Sequence, residues 1–264
     1  MQSKQDAGKL PARKELGRRR QSGWLHYFAN PGRFVRFARP FLPWLAAVSA
    51  LLTVTGMVWG YVFAPADFQQ GNAARIMYVH VPAAWVSMSG YATLALCSFF
   101  SLVWRHPLAD IAAEEIGPVG AGFTFVCLVS GALWGRPTWG TYWVWDARLT
   151  SVLILFFLYL GHIALVRGFE SRERGYRAGA ILALAGVVNL PIIVFSVQWW
   201  NTLHQGNSIS LSGSSIYPSM LYPLLVSTLG FYLSFVSLVL ARMLAAIMER
   251  KTSSLLLANA EHDA

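Results

Sequence analysis

Charged residues are scarce in this sequence. Only 12% of the 264 residues are Asp, Glu, Lys or Arg, whereas a soluble domain carries about 25%. Hydrophobic residues make up 55% of the chain and occur in long runs, which is typical of a membrane protein. The length allows one helical bundle and leaves no room for a large soluble domain.

Cysteine is nearly absent, which limits the chemistry that the chain can perform. Cys97 and Cys127 both lie in apolar runs, without the paired spacing of a zinc site or a disulfide framework. The sequence also has no phosphate-binding glycine loop and no evident nucleophile–base pair. We therefore expect a binding protein without catalytic residues of its own.

The basic residues are concentrated near the start of the chain. The formal net charge is +9, and ten of the 21 Lys and Arg residues fall within positions 1–40, directly before an apolar run. A basic flank beside a membrane span is attracted to anionic lipid. We interpret 1–40 as a basic cytoplasmic leader that contacts membrane lipid, and we expect no nucleic-acid partner because no recognition motif follows.

Six apolar runs are long enough to cross a hydrocarbon core of about 30 Å. The first is followed by "APA", which resembles a signal-peptidase site, but its length and the five later runs favour a retained helix. The prediction is an all-α, polytopic bundle of six transmembrane helices in 41–248, followed by a cytoplasmic tail, 249–264. The predicted spans are 41–63, 79–104, 116–134, 149–166, 178–199 and 220–244.

The basic residues also predict the orientation of the bundle. With the N-terminus inside, 18 of the 21 fall in cytoplasmic segments, and only Arg75, Arg136 and Arg148 are exterior. This bias predicts cytoplasmic N and C termini. The chain is thus expected to be a multi-pass protein of the bacterial inner membrane with its exterior segments in the periplasm.

The second exterior segment, between the third and fourth spans, is rich in tryptophan. It reads "LWGRPTWGTYWVWDARLT" and contains Trp134, Trp139, Trp143 and Trp145. Tryptophans also form belts at membrane interfaces, but a belt would scatter them over several helix ends. Their density favours an aromatic surface for a large flat ligand, on a periplasmic loop at 134–148.

Two exterior histidines accompany this loop. His80 lies at the outer start of the second span, and His204 lies just beyond the fifth span, after Trp199 and Trp200. A single histidine there is more often a hydrogen-bonded interface residue, but two beside a tryptophan platform suggest the axial ligands of haem iron. Exterior cations could pair with the haem propionates; the candidates are Arg75, Arg136 and Arg148.

Two other ionisable residues have structural interpretations. Asp146 is the one acid in the tryptophan segment, and we expect it to order the loop, either by pairing with Arg148 or by capping the fourth helix. His162 falls inside the fourth span without an acidic partner at matching depth. We interpret it as a packed neutral histidine.

Several segments resemble one known family. "WGRPTWGTYWVWDARLT" resembles the WWD motif of haem-handling proteins in cytochrome c maturation, and "FAPADFQQGN", "YVHVPAAW" and "GVVNLPIIVFSVQWWNTLHQG" extend the similarity over about 41–248. With six spans and this length, the chain resembles the haem exporter protein C family. The larger WWD proteins have many more spans.

The resemblance implies a function, a cargo and partners. Members of the family hold haem b at the periplasmic face through two histidines, which correspond by motif position to His80 and His204. They present it to a periplasmic haem chaperone (CcmE) during c-type cytochrome biogenesis. They also belong to an ABC-type complex with an ATPase (CcmA), a membrane subunit (CcmB) and a small single-span protein (CcmD).

Other functions remain open from the residues alone. A membrane b-type cytochrome would hold haem between helices with histidines at depth, and here the pair lies at the rim. A transport subunit for haem or another solute would have broken helices with polar groups at the midplane. Asn189 beside Pro191 is the one weak sign of this.

Overall fold

The computed structural model describes residues 30–204, 206, 208–210 and 213–262, which are mostly helical. Six helical segments are long and apolar enough to cross a membrane, which confirms the predicted all-α, six-span fold. The helices are α1 (Pro31–Val58), α2 (Met77–Trp104), α3 (Pro107–Trp139), α4 (Ala147–Gly168), α5 (Arg172–Gly186), α6 (Asn189–Trp199) and α7 (Pro218–His262). A π-helical turn (Trp59–Phe63) extends α1, and a 3-10 turn (Asn72–Ile76) precedes α2. An antiparallel hairpin of β1 (Ile209–Ser210) and β2 (Gly213–Ser214) precedes α7.

The helices run past the predicted spans. α1 begins at Pro31 because the Asn30 side chain caps it, accepting hydrogen bonds from the N–H groups of Gly32 and Arg33. Residues 31–40 of the predicted leader are therefore helical, and residues 1–29 lie outside the described residues. α7 continues to His262, through most of the predicted tail. Hydropathy marks only the part of a helix that fits the hydrocarbon core.

α1 packs mainly against α7, and two glycines allow their backbones to touch. A Cβ atom on Gly56 would lie 2.4 Å from the backbone N of Ser227, and one on Gly230 would lie 2.4 Å from the backbone N of Thr53. Small residues at a helix crossing permit such an approach in a bilayer.

The centre of the bundle joins α2, α3 and α4 around two tyrosines. The rings of Tyr91 and Tyr159 meet edge to face at 5.1 Å, and both are fully buried. The Tyr159 hydroxyl donates to the carbonyl of Ser87. Gly120 makes room for this ring, because a Cβ there would lie 2.3 Å from Tyr159 Cε1. These contacts lie below the segments that are predicted to be exterior.

The tryptophan-rich segment differs from the predicted loop at 134–148. α3 continues through Trp139 and α4 begins at Ala147, so only residues 140–146 connect them. Gly140 ends α3 with a φ of +79°, and its N–H donates to the carbonyl of Arg136. Tryptophan is compatible with helix, so composition did not reveal where α3 ends.

If all six helical segments cross the membrane, Pro31 and His262 lie on the same side of it. Which side is cytoplasmic stays a prediction from the distribution of basic residues.

Candidate functional site

A cavity of about 730 Å³ opens between α2, α3, α4 and α6, below the segments predicted to be exterior. This volume is within the range of small-molecule and cofactor sites. His80 and His204 both line it. The deeper wall is apolar and is formed by Val81, Ala84, Met88, Leu128, Val152 and Leu155.

His80 lies in the first turn of α2 and is held against α3. Its Nδ1 is 3.0 Å from the carbonyl oxygen of Cys127 and 3.1 Å from Ser130 Oγ. A carbonyl oxygen can only accept, so Nδ1 carries the proton and Nε2 is left with a free lone pair. The ring meets Trp134 edge to face at 5.6 Å. It also lies close to α3 at Gly131, where a Cβ would be 2.8 Å from His80 Cε1.

His204 lies in the connection between α6 and α7, next to Asp146. Its Nδ1 is 3.5 Å from Asp146 Oδ2, which is within ion-pair range but long for a hydrogen bond. No described residue gives this Nδ1 a hydrogen bond. Thr202 links the two residues, since its hydroxyl donates to Asp146 Oδ2 and its Oγ1 accepts from the N–H of His204. The His204 ring contacts Trp139, with centroids 4.8 Å apart.

The pKa values of His204 and Asp146 are both shifted from their usual values. Burial lowers the pKa of His204, and Arg148 lowers it further, whereas Asp146 opposes both. Burial alone would raise the pKa of Asp146, but hydrogen bonds from Thr202 and the N–H of Leu149, with the nearby His204, outweigh it and leave the pKa below its usual value. At neutral pH the imidazole is therefore neutral beside an ionised carboxylate, which suits metal ligation.

Asp146 also caps α4. Its Oδ1 accepts from the N–H of Leu149 at 2.7 Å, which is the N-cap geometry. The alternative pairing with Arg148 does not occur among the described ion pairs. The contact between Asp146 and His204 was not anticipated from the sequence, because 58 positions separate the two residues.

The predicted tryptophans divide into two groups. Trp134, Trp139 and Trp143 line the cavity. Trp145 lies outside the lining and contacts Trp143 edge to face at 5.5 Å. The rings of Trp199 and Trp200 also lie outside the lining; both are exposed and meet each other at 5.9 Å.

The three predicted arginines are also divided. Arg148 lines the cavity and donates from Nε to Ser196 Oγ at 3.3 Å. Arg75 donates to the carbonyls of Tyr61 and Ala64, so it ties α2 to the end of α1. Arg136 donates to the carbonyl of Gly140 and lies over the ring of Tyr142 at 5.6 Å. Arg75 and Arg136 therefore order the segments predicted to be exterior and do not line the cavity.

Trp85 and Gln70 are two of the lining residues that were not predicted. Trp85 lies in α2, five residues after His80, and its position in the quoted "YVHVPAAW" segment was the only available signal. Gln70 accepts a hydrogen bond from the indole Nε1 of Trp134 at 2.8 Å. Gln70 lies in the quoted "FAPADFQQGN" segment, which was its one signal, and its contact with Trp134 depends on how the connection between α1 and α2 folds over α3.

His162 lies away from the cavity. It is buried in α4, and its ring packs against Gly117 and Gly179, where an added Cβ would approach Nδ1 at 3.1 Å and Nε2 at 3.3 Å. Over the part of the chain that the structure describes, no group of three His, Cys, Asp or Glu side chains is placed to hold a metal ion.

Comparison with known proteins gives consistent matches. A family model described as Heme exporter protein C matches residues 24–258. The chain is 53% identical over 228 residues to Heme exporter protein C of Bradyrhizobium diazoefficiens, covering 86% of each protein. It is 51% identical over 229 residues to the protein of that name from Escherichia coli K12, covering 86% of this chain and 93% of the relative. A putative cytochrome c biosynthesis ccmC-like mitochondrial protein of Marchantia polymorpha is 48% identical over 181 residues, 69% of this chain and 77% of the relative.

Proposed function

Because the chain belongs to the haem exporter protein C family, we propose that it binds haem b in the cavity and presents it to a periplasmic haem chaperone (CcmE) during c-type cytochrome biogenesis. Haem is then a cargo, and the chain is a haem-handling membrane protein that performs no catalytic step. One observation carries the proposal: His80 and His204, from separate segments, line the same cavity with four tryptophans.

The two histidines are proposed as axial ligands of the haem iron. His80 supports this role because its Nδ1–H is committed to the Cys127 carbonyl, which leaves Nε2 as the free donor atom. His204 is neutral beside the Asp146 carboxylate, an arrangement that orients a ligating imidazole and increases its basicity.

The cavity walls are proposed to hold the porphyrin. Trp134, Trp139 and Trp143 offer flat apolar surfaces, and the deeper wall is apolar. Arg148 is the predicted arginine that lines the cavity, so we assign it to a haem propionate. Arg75 and Arg136 are assigned to ordering the exterior segments.

The placement of the two histidines suits a cargo that must leave. His80 is held in a packed helix, whereas His204 lies outside the helices. A movement of the His204 segment would remove one axial ligand without unpacking the bundle. The incoming chaperone would then need to replace only one iron bond at first.

The chain is further proposed to act in the bacterial inner membrane with its cavity towards the periplasm, within an ABC-type complex. The name of its relatives, heme exporter, supports an export assembly. The chain has no phosphate-binding glycine loop, so ATP would be used by a separate subunit (CcmA), beside a membrane subunit (CcmB) and a small single-span protein (CcmD).

The test is haem binding and delivery by purified protein in nanodiscs. The variants H80A, H204A and the double variant are compared with H106A, a control at the opposite end of the bundle. We expect the site variants to lose the haem Soret band and to leave co-purified chaperone without haem, while H106A behaves as the parent chain. Full haem loading and full delivery by the double variant would contradict the proposal.

A further inference from the structure

The connection between α1 and α2 carries an aromatic side chain that the described chain leaves uncovered. Phe68 is 93% exposed, the largest exposed fraction among the large hydrophobic residues that the structure describes. We propose that Phe68, together with Tyr217, is a docking contact for the periplasmic protein that accepts haem from the cavity. The proposal rests on the proposed function, because it requires that a protein receives the haem.

Phe68 is presented by an ordered turn. Asp67 Oδ1 accepts from the N–H groups of Gln69 and Gln70 at 2.9 and 2.8 Å. Asp67 and Gly71 also exchange two backbone hydrogen bonds, at 3.1 and 2.9 Å, and Gly71 closes the turn with a φ of +57°. A side chain held by an ordered backbone loses less conformational entropy on binding than one in a loose loop.

The turn is continuous with the cavity. Gln69 and Gln70 line the cavity, and Gln70 is hydrogen-bonded to Trp134. Tyr217 is 72% exposed and directly follows Ile216, another lining residue. A protein that reaches into the cavity opening therefore passes both aromatic side chains.

The chemistry of the turn favours a protein over the lipid surface. Aromatic side chains, Phe among them, are enriched in protein–protein interfaces relative to the rest of the surface. Residues that anchor a protein at the headgroup level are mostly Trp and Tyr, with Lys and Arg, so Tyr217 fits either surface and Phe68 distinguishes them. Phe68 instead follows the acidic Asp67, which an anionic headgroup surface would repel.

The experiment compares the F68S and Y217S variants with L256S. Leu256 is 65% exposed at the opposite end of the bundle, so L256S is a matched control for removing an exposed apolar side chain. Each full-length protein is loaded with haem in nanodiscs and titrated against the soluble domain of the haem chaperone. We expect unchanged haem content in all three, and about 30-fold weaker chaperone binding by F68S, as for an aromatic hot spot. L256S should bind as the parent chain does.

Three results would overturn the proposal. The first is equal chaperone binding by F68S and the parent chain. The second is loss of haem together with binding, which would make Phe68 part of the haem site. The third is quenching of a fluorophore on F68C by brominated lipid in the absence of chaperone, which would identify the outer leaflet as the partner. Failure of the parent chain itself to hold haem or bind the chaperone would instead refute the proposed function.

Discussion

The carboxylate of Asp146 and the imidazole of His204 lie 3.5 Å apart, and this distance makes the site sensitive to pH. Axial ligation requires a neutral imidazole. Because burial lowers the pKa of His204, haem binding should persist below the usual histidine pKa of about 6.5. It should fall only when the pH drops below the lowered pKa, where the proton competes with iron.

The D146N variant tests this coupling. The substitution removes a negative charge that raises the pKa of His204, so the acid loss of haem should move to lower pH. Asn is as good an N-cap as Asp, so α4 should keep its start. The measurement is a titration of the Soret band from neutral to acid pH. D146A serves as a control for the cap and should lower the free energy of unfolding by about 1 kcal/mol. A shift of the D146N midpoint to higher pH would contradict this account.

Gly131 allows His80 to lie against α3. In G131A the new methyl group would lie 2.8 Å from His80 Cε1, so the ring must move and its bond to the Cys127 carbonyl must weaken. We expect the haem affinity to fall about tenfold or more, the equivalent of ~1.4 kcal/mol. G122A is the matched control on the same helix, since an added Cβ there meets nothing within 4 Å. Equal affinity of the two variants, measured by haem titration, would show that the close approach is unimportant.

Variants of Arg148 and Arg75 should differ in whether they lose haem affinity or thermal stability. Arg148 lines the cavity, so R148Q should weaken haem binding about tenfold, as expected for loss of a charge-assisted bond of ~1.5 kcal/mol. Arg75 donates to two backbone carbonyls, so R75Q should lower thermal stability more than haem affinity. Haem titration and thermal unfolding of both variants check the prediction. Loss of stability in R148Q and loss of haem affinity in R75Q would contradict these assignments.

At the scale of elements, local hydropathy predicts the six spans. It does not predict the helix ends, which depend on single capping residues, or the cavity lining, which depends on tertiary contacts. The six spans were predicted because each contains enough apolar residues to cross the hydrocarbon core. The start of α1 depends on Asn30, and the end of α3 depends on Gly140, so their bounds were displaced. Both predicted histidines and three of the six predicted tryptophans line the cavity. Trp85 and Gln70 also line it, but their positions there depend on how the helices pack against one another.

The crossing of α1 and α7 leaves no free space beside Gly56. In G56A the added methyl group would lie 2.4 Å from the backbone N of Ser227, and backbone atoms cannot move aside without separating the helices. Overpacking of this kind costs about 1–3 kcal/mol. G56A should therefore unfold at a lower temperature than G122A, as measured by thermal aggregation in detergent. An unchanged unfolding temperature would mean that α1 can shift along α7.

At the scale of the whole molecule, the two ends of the bundle have different chemistry. The end opposite the cavity contains ion pairs that join α3 to α7, between Glu115 and Arg242 at 2.8 Å and between Glu114 and Arg250 at 2.7 Å. Tyr176 of α5 adds a hydrogen bond to Glu114. The cavity end has aromatic rings and few charges. Ion pairs therefore join the helices at one end of the bundle, and the cavity lies at the other end.

The orientation of this bundle decides whether transfer to a periplasmic chaperone is possible. Ala66 lies at the cavity end and Ala258 at the opposite end, and both are exposed. In intact cells a membrane-impermeant maleimide should label A66C, whereas A258C should react only after permeabilisation, because the excess of basic residues holds its end in the cytoplasm. The parent chain is the blank, since Cys127 is buried and Cys97 is partly buried. Labelling of A258C alone in intact cells would place the cavity in the cytoplasm, and His80 and His204 could then not deliver haem to a periplasmic protein.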